Sequence, residues 1–339
     1  MKKILQQLSE GKSLSIGEMK EAVKLMFLDE TTESEIAALL MALKLKGETV
    51  EEITGLVEAL RENALVFEDQ IPGLIDNCGT GGDGSKSFNI STTSAFVLAG
   101  AGLKVAKHGN RSITSRSGSA DVLEYLGVSL KMSATEVKNT IEEVGIAFLF
   151  APHVHPMMKK IMNVRRSLNI PTIFNLIGPL TNPLQLETQV LGIYREDLLE
   201  PFAEVLRNLG RKRAVVLYGA GGVDEATLIG ENHYVLLNDG VITKHTISPE
   251  DVGLEPASKE KIVGGDAKEN ASILKNVLSG QEGPHLDTVL LNAGIGLFAS
   301  GTVTTIQEGV HEARKSIHSG KAYEKLVELV KISVKKEVI

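Results

Sequence analysis

The sequence predicts an α/β protein, with a small N-terminal helical domain ahead of a large α/β domain built on a mostly parallel central sheet. Three observations predict it. Residues 1 to about 65 carry helical periodicity behind marked helix starts. From Ile71 onward, short apolar runs alternate with helical ones, the pattern of strands joined by crossover helices. The first of those runs opens into residues 76–127, which hold nine glycines and many hydroxyl side chains between apolar flanks, so this stretch is no linker.

The helical segment is the most explicit. Ser15-x-x-Glu18, Thr32-x-x-Glu35 and Thr49-x-x-Glu52 are capping boxes, in which hydroxyl and carboxylate satisfy each other's backbone N–H groups. Behind them run the stripes Met19, Val23, Met26, Phe27; Ile36, Leu39, Leu40, Leu43; and Ile53, Leu56, Val57, Leu60. Gly47 stops the second helix. Such stripes suit packing and contact with a second copy rather than catalysis.

In the larger part, Leu74 and Ile75 are a short strand that runs into the Gly-rich loop, residues 91–101 form a helix of small residues, and 104–106 are a second strand. A helix at 121–126, a capped helix after Ser133 and a buried strand at 146–150 follow. Strand 190–194, helix 197–209 and strand 214–218 continue the alternation. Asn238-Asp239-Gly240 predicts a tight hairpin turn between 234–237 and 241–245. Helical patterns return at 270–278, 288–298 and 305–318.

Composition narrows the function. With 42% hydrophobic and 23% charged residues the chain is an ordinary globular one, and a net charge of −7 argues against general nucleic-acid or membrane-surface binding. Cys78 is the single cysteine, which rules out internal disulfides and a CxxC metal site and suits a reducing compartment. Met1-Lys2-Lys3 leads into Gln6, Gln7, Ser9 and Glu10 rather than an apolar core, so no signal peptide is expected. No run approaches the ~18 apolar residues of a membrane span. A soluble cytoplasmic protein is the expectation.

Residues 79–84 match G-x-G-x-x-G formally, but the dinucleotide fingerprint needs a helix opening within the loop and an acid at the end of the second strand. Residues 85–89 delay the helix, and the second strand ends in Lys107 and His108. The P-loop pattern fails as well, because Ser85 separates Gly84 from Lys86. What remains is their common physics: glycines that let backbone N–H groups approach an anion, with a helix N-terminus behind them. Lys107-His108-Gly109-Asn110-Arg111 follows the second strand, at the sheet edge where open α/β folds bind ligands. Residues 112–119 add hydroxyl donors suited to wrapping a phosphate. After strand 214–218, Asp224 and Glu225 place two adjacent carboxylates in another such loop. Alone they would be solvated acids; beside an anion site they suit Mg²⁺, with Ser91 as a hydroxyl ligand. His153 and His155 lack a Glu or Cys at zinc-ligand spacing, so a histidine and arginine pocket for a small acid, with Arg165 and Arg166, is the better reading.

GTGGD at 79–83, KHGNR at 107–111, GSADVLEYLG at 118–127, FNLIGPLTNP at 174–183 and GVDEA at 222–226 occur in this order. Together they closely resemble the anthranilate phosphoribosyltransferases of tryptophan biosynthesis, over essentially the whole chain. The resemblance implies transfer of a 5-phosphoribosyl group from phosphoribosyl pyrophosphate (PRPP) to anthranilate, with inversion and no covalent nucleophile. It implies a donor site of Gly79, Gly82, Asp83, Ser87, Asn89, Ile90, Ser91, Thr92, Lys107, His108, Gly109, Asn110, Arg111, Ser112, Ile113, Thr114, Ser115 and Ser119. It implies an anthranilate site of Gly79, Asn110, Arg165, His108 and His155. Ser91, Asp224 and Glu225 match the magnesium positions, with two ions per site. A homodimer through the helical domain is implied too, as is a helical domain of residues 1–70 joined by part of 165–185, leaving 71–339 as the donor-binding domain. GTGGD and KHG are shared with the pyrimidine nucleoside phosphorylases, the nearest rival activity. A non-catalytic binding protein of the same fold is the second rival.

Overall fold

The computed structural model describes residues 1–112 and 116–336. Four helices open the chain: α1 (Lys2–Ser9), α2 (Ile16–Phe27), α3 (Glu33–Lys46) and α4 (Val50–Glu62). The last three start at the capping boxes read from the sequence, each cap hydroxyl accepting from the N–H of its glutamate three residues on. Glu52 does more than cap. It is completely buried, takes the Thr49 and Leu14 N–H groups at 2.9 Å each, and pairs with Lys46 at 2.9 Å. One carboxylate thereby ties the start of α4 to the α1–α2 connection and the end of α3. The first helix has no side-chain cap and no capping pattern, which is why the sequence does not announce it.

The α/β part then runs β1 (Leu74–Gly79), α5 (Ile90–Gly100), β2 (Lys104–Gly109), α6 (Ser119–Tyr125), α7 (Ala134–Val144), β3 (Ile146–Phe150), α8 (Ala151–Val154) and α9 (Lys159–Leu168). It continues with β4 (Thr188–Gly192), α10 (Leu199–Asn208), β5 (Arg213–Tyr218), β6 (Asn232–Asn238), β7 (Val241–Ile247), α11 (Ala267–Leu278), α12 (Pro284–Ala299), α13 (Ile306–His318) and α14 (Lys321–Lys336). The sheet order is β3-β2-β1-β4-β5-β6-β7; β1 to β5 are parallel, and β6 and β7 are antiparallel. Asp239 and Gly240 turn the β6–β7 hairpin with φ of 46° and 85°, the left-handed pair that a two-residue turn demands.

Strand alternation sends the sheet's side chains into two apolar layers. Val190, Val215 and Leu217 face one layer, with α5 and α11–α14; Leu191, Ala214 and Val216 face the other, with α10 and the N-terminal helices. Ile161, Val164, Ile173, Phe174 and Leu180 join that second layer. The strand order reverses at β1, flanked by β2 on one side and β4 on the other. That reversal opens a crevice at the strands' carboxyl ends.

Two strands outrun their sequence boundaries. β1 continues past Ile75 to Gly79, and β2 continues past Ala106, so Lys107 and His108 are strand residues, each only 2% exposed, rather than loop residues. Pairing on both sides drives this: Lys107, His108 and Gly109 lie opposite Phe148, Leu149 and Phe150, and Cys78 and Gly79 opposite Leu191 and Gly192. Polar residues inside these strands hide them from a pattern search. Among the described residues no helix is long and apolar enough to cross a membrane.

Candidate active site

A cavity of about 930 Å³ lies at the carboxyl ends of β1, β2 and β5, with further walls from α8, α9 and residues 174–181. Every described residue that the resemblance assigned lines it, from Gly79 to Glu225. Ile113, Thr114 and Ser115 lie outside the described residues.

On the donor side, Gly81 and Gly82 have successive φ values of 69° and 82°, which turns the loop sharply after β1. The first turn of α5 follows. Its cap residue Asn89 makes no side-chain capping bond, because its Oδ1 accepts from Asn270 at 2.8 Å. The helix N-terminus is left as an anion-attracting end beside the glycine loop. Ser91 donates its N–H to Glu225 at 3.2 Å, and Gly81 donates to Asp224 at 2.6 Å, so both loops are stitched together by the paired acids.

The carboxylate loop is seated on three glycines. A Cβ on Gly79 would stand 2.2 Å from Asp224 Oδ2, one on Gly192 1.6 Å from Asp224 O, and one on Gly219 1.9 Å from Glu225 O. These glycines close β1 and β4 and follow β5 directly, so only side-chain-free strand ends allow Asp224 and Glu225 to settle there. Gly219 opens the loop read from the sequence, whereas Gly192 is not legible there; a glycine at the end of each of three strands was the available signal.

Burial first, then the neighbouring Glu225 and Asp83 charges, hold the Asp224 carboxyl well above the usual carboxylate range. Burial also pushes Glu225 up to about 7, against the opposing pull of Lys107 and Ser91. Asp83 accepts from Ser85 N–H through Oδ1, while its buried Oδ2 has no partner. Such a set gains from a cation. Among the described residues no three His, Cys, Asp or Glu side chains form a complete metal cluster. Partial coordination by one or two carboxylates, with water and phosphate oxygens filling the rest, is the habit of Mg²⁺.

The second wall rests on a buried network that the sequence did not reveal. Asp76, wholly buried, accepts from His108 N–H at 3.2 Å and from Asn182 Nδ2 at 3.0 Å. Burial pushes its carboxyl up to about 6, with Lys107 the largest opposing influence. Lys107 donates to Asn77 O at 2.6 Å, beneath the cavity, which places its charge between Asp76 and Glu225 rather than free in the loop. His108 Nδ1 pairs with Gly178 O at 3.1 Å, so Nδ1 carries the hydrogen and Nε2 is an acceptor, buried and without a partner. Burial pushes this imidazole down to about 3, well into its neutral form. His155 Nε2 pairs with Thr181 O at 2.8 Å and lies edge-on to His108, with ring centroids 5.7 Å apart. One turn, residues 178–182, thus sets both rings.

Arg165, half-buried, stacks 5.5 Å over Phe174 and reaches Met162 Sδ and Asn175 Oδ1 at 3.2 and 3.5 Å. Burial lowers its pKa and no acid counters the shift; no ion pair involves it among the described residues. A guanidinium in that position favours an incoming carboxylate. Arg111 differs: its head group is held by Asp121 and Glu124 at 2.8 Å. His153 leaves the pocket proposed from sequence, its Nε2 pairing with Met132 O at 3.0 Å. The short α8 turns His153 and His155 in different directions, which spacing alone does not disclose.

Comparison with known proteins agrees on one family. The α/β-domain pattern of the "Glycosyl transferase family" matches residues 72–323 and its helical-bundle-domain pattern residues 2–64. The anthranilate phosphoribosyltransferase of Listeria welshimeri is 58% identical over 339 residues, 100% of this chain and 99% of the relative. The crystal structure of the anthranilate phosphoribosyltransferase from Thermus thermophilus superposes with a TM-score of 0.92 at 41% identity, covering 97% of this chain and 99% of the other. The Saccharomyces cerevisiae enzyme in complex with PRPP and Mg gives 0.90 at 28% identity over 98% and 97%, and in complex with 4-fluoroanthranilate 0.88 at 27% over the same shares.

Proposed function

The chain belongs to the glycosyl transferase family of the anthranilate phosphoribosyltransferases, and from that premise we propose how its residues divide the work. It transfers the 5-phosphoribosyl group of PRPP to the amine of anthranilate, giving N-(5-phosphoribosyl)anthranilate and pyrophosphate. The single observation that carries the residue assignment is the meeting, in one cavity, of a glycine loop at a helix N-terminus, two acids held uphill of ionisation, and an arginine without an acid partner among the described residues. A volume of about 930 Å³ is in the range that ligand sites occupy.

On this reading the residues after β1, the first turn of α5 and the 107–119 wall hold PRPP. Arg165 takes the anthranilate carboxylate, Asn110 and His155 border the ring, and Gly79 marks the meeting edge of the two substrates. His108 offers its open Nε2 to an N–H of the amine. The amine nitrogen bonds to the anomeric carbon as the bond from that carbon to pyrophosphate breaks, and positive charge gathers on the ribose meanwhile. Asp224, Glu225 and Ser91 hold Mg²⁺, two ions in our reading, which when bound offsets the charge of the departing pyrophosphate. The protein's own contribution is orientation and exclusion of water, without a covalent nucleophile.

We divide the chain into a helical domain of residues 1–70 with part of 165–185, supported by the core that α1–α4 share with Ile173, Phe174 and Leu180, and a donor domain of 71–339. Leu45, 80% exposed on α3, supports a homodimer through the helical domain, and we place the enzyme in the cytoplasm. The activity test is incubation with PRPP, Mg²⁺ and anthranilate, following the loss of anthranilate fluorescence. Unchanged fluorescence together with phosphate-dependent release of a pyrimidine base would overturn the reading.

A further inference from the structure

Helix α12 is apolar almost throughout, yet it carries one amide in its buried middle. Asn292 is 7% exposed and flanked by Leu290, Leu291 and Ala293, each fully buried. Its Oδ1 accepts from Ala226 N–H at 3.0 Å, and its Nδ2 donates to Ala226 O at 2.8 Å and to Thr288 O at 2.9 Å. A side-chain amide has two hydrogens and one oxygen, and here all are used. Two of the three bonds grip both backbone groups of a single residue, and that residue directly follows Glu225.

We infer that Asn292 is a positioning residue for the Asp224–Glu225 pair. The loop has other supports besides the Gly81 and Ser91 N–H bonds to the carboxylates themselves. Asn232 ties its two ends together, accepting from Ala220 and Thr227 N–H and donating to the Thr227, Gly230 and Ile247 carbonyls. Underneath, the glycine strand ends Gly79 and Gly192 admit the loop, and Gly219 closes it by donating to Val223 O at 2.8 Å. None of these supports holds the peptide between Glu225 and Ala226. Asn292 does, from a helix that packs on α5 and α13 and on β4 and β5, so the loop takes its position from the rigid core. The two bonds take the N–H of the Glu225–Ala226 peptide and the C=O of the Ala226–Thr227 peptide, so they fix the backbone at Ala226 and with it the direction from which Glu225 enters. The chemistry requires this: acids that are buried and mutually repelling will turn apart unless the main chain forbids it.

The inference rests on the assignment of Asp224 and Glu225 as divalent-cation ligands, and the test separates the two. Mn²⁺ is titrated into the full-length protein with PRPP present and anthranilate absent, and bound ion is read by electron paramagnetic resonance, so no turnover enters. Asn292→Ala should weaken Mn²⁺ binding about 10- to 100-fold, the usual consequence of losing an outer support of a metal ligand. The anthranilate KM should stay within about twofold of the parent, since the far wall is untouched. Should the alanine variant fail to fold, Asn292→Ser, which leaves room for a bridging water, is measured instead. Mn²⁺ affinity equal to the parent's in a folded Asn292 variant, with Asp224→Asn weakened, overturns the role of Asn292 alone. Mn²⁺ affinity unchanged in Asp224→Asn removes the ligand assignment itself.

Discussion

Replacing Gly192 by alanine presses directly on the seat of the carboxylate loop. The new Cβ would stand 1.6 Å from Asp224 O and 2.6 Å from its carbonyl carbon, and ordinary contact begins at 3.4 Å, so the loop must retreat by roughly 3.4 − 1.6 = 1.8 Å. Neither side yields cheaply. Gly192 is paired to Gly79 on one side and Leu217 on the other, and the loop is gripped at Ala226 by Asn292. Overpacking of this kind costs about 1–3 kcal/mol, which a stable domain survives. Catalysis is less tolerant, since a 1 Å misplacement costs on the order of 100-fold. Gly192→Ala should therefore fold, melt somewhat lower, and lose at least about 100-fold in kcat/KM with a raised Mg²⁺ requirement. Anthranilate fluorescence at varied Mg²⁺ gives the rates, and circular dichroism gives the melt. Gly17→Ala on α2 is the control: its Cβ meets nothing within 4 Å, and it should gain about 0.4–1 kcal/mol with activity unchanged. A folded Gly192→Ala enzyme within about threefold of the parent would refute the steric argument.

Arg165→Ala should raise the anthranilate KM roughly 10- to 150-fold, the worth of a charge-assisted bond of about 1.5–3 kcal/mol, and leave the PRPP KM nearly unchanged; an unaltered anthranilate KM removes Arg165 from the acceptor site. His108, pushed down to about 3 from its ordinary 6.5, should stay neutral with hydrogen on Nδ1 from about pH 8 to about pH 5 in ¹⁵N NMR. Because its folded pKa lies below the unfolded one, its neutral burial is fully compatible with folding above pH 6.5 and costs stability progressively as pH falls towards 3; half-protonation near pH 6.5 in the native protein contradicts this. Glu52→Ala strands the buried Leu14 N–H, the part-buried Thr49 N–H and Lys46, and should cost about 3–5 kcal/mol in denaturant unfolding; a loss below about 1 kcal/mol would make the pair no better than a surface one.

Legibility in the sequence followed the range of the interaction. Capping boxes at Ser15, Thr32 and Thr49 and the Asp239-Gly240 turn were readable because their partners lie within three residues. The Gly-rich loop and the Asp224–Glu225 pair were readable as residue types unusual for a strand end. Lys107 and His108 were misplaced into a loop because polar side chains argue against a strand unless their partners, Asn77 O and Gly178 O, are known. His153 and His155 looked equivalent until α8 turned them apart.

By itself the sequence determined the helix starts, the α/β alternation and the inventory of anion-binding and acidic groups, since each depends on local periodicity, capping and backbone freedom. Only the tertiary structure decided the order of strands, with its reversal at β1, and therefore which loops share one cavity. It alone decided the work of Asp76, Asn182 and Asn292. Asn182 meets Asp76 across 106 residues, and Asn292 meets Ala226 across 66. Buried polar groups take their roles from partners brought together by packing the two apolar layers, and no spacing along the chain records that meeting.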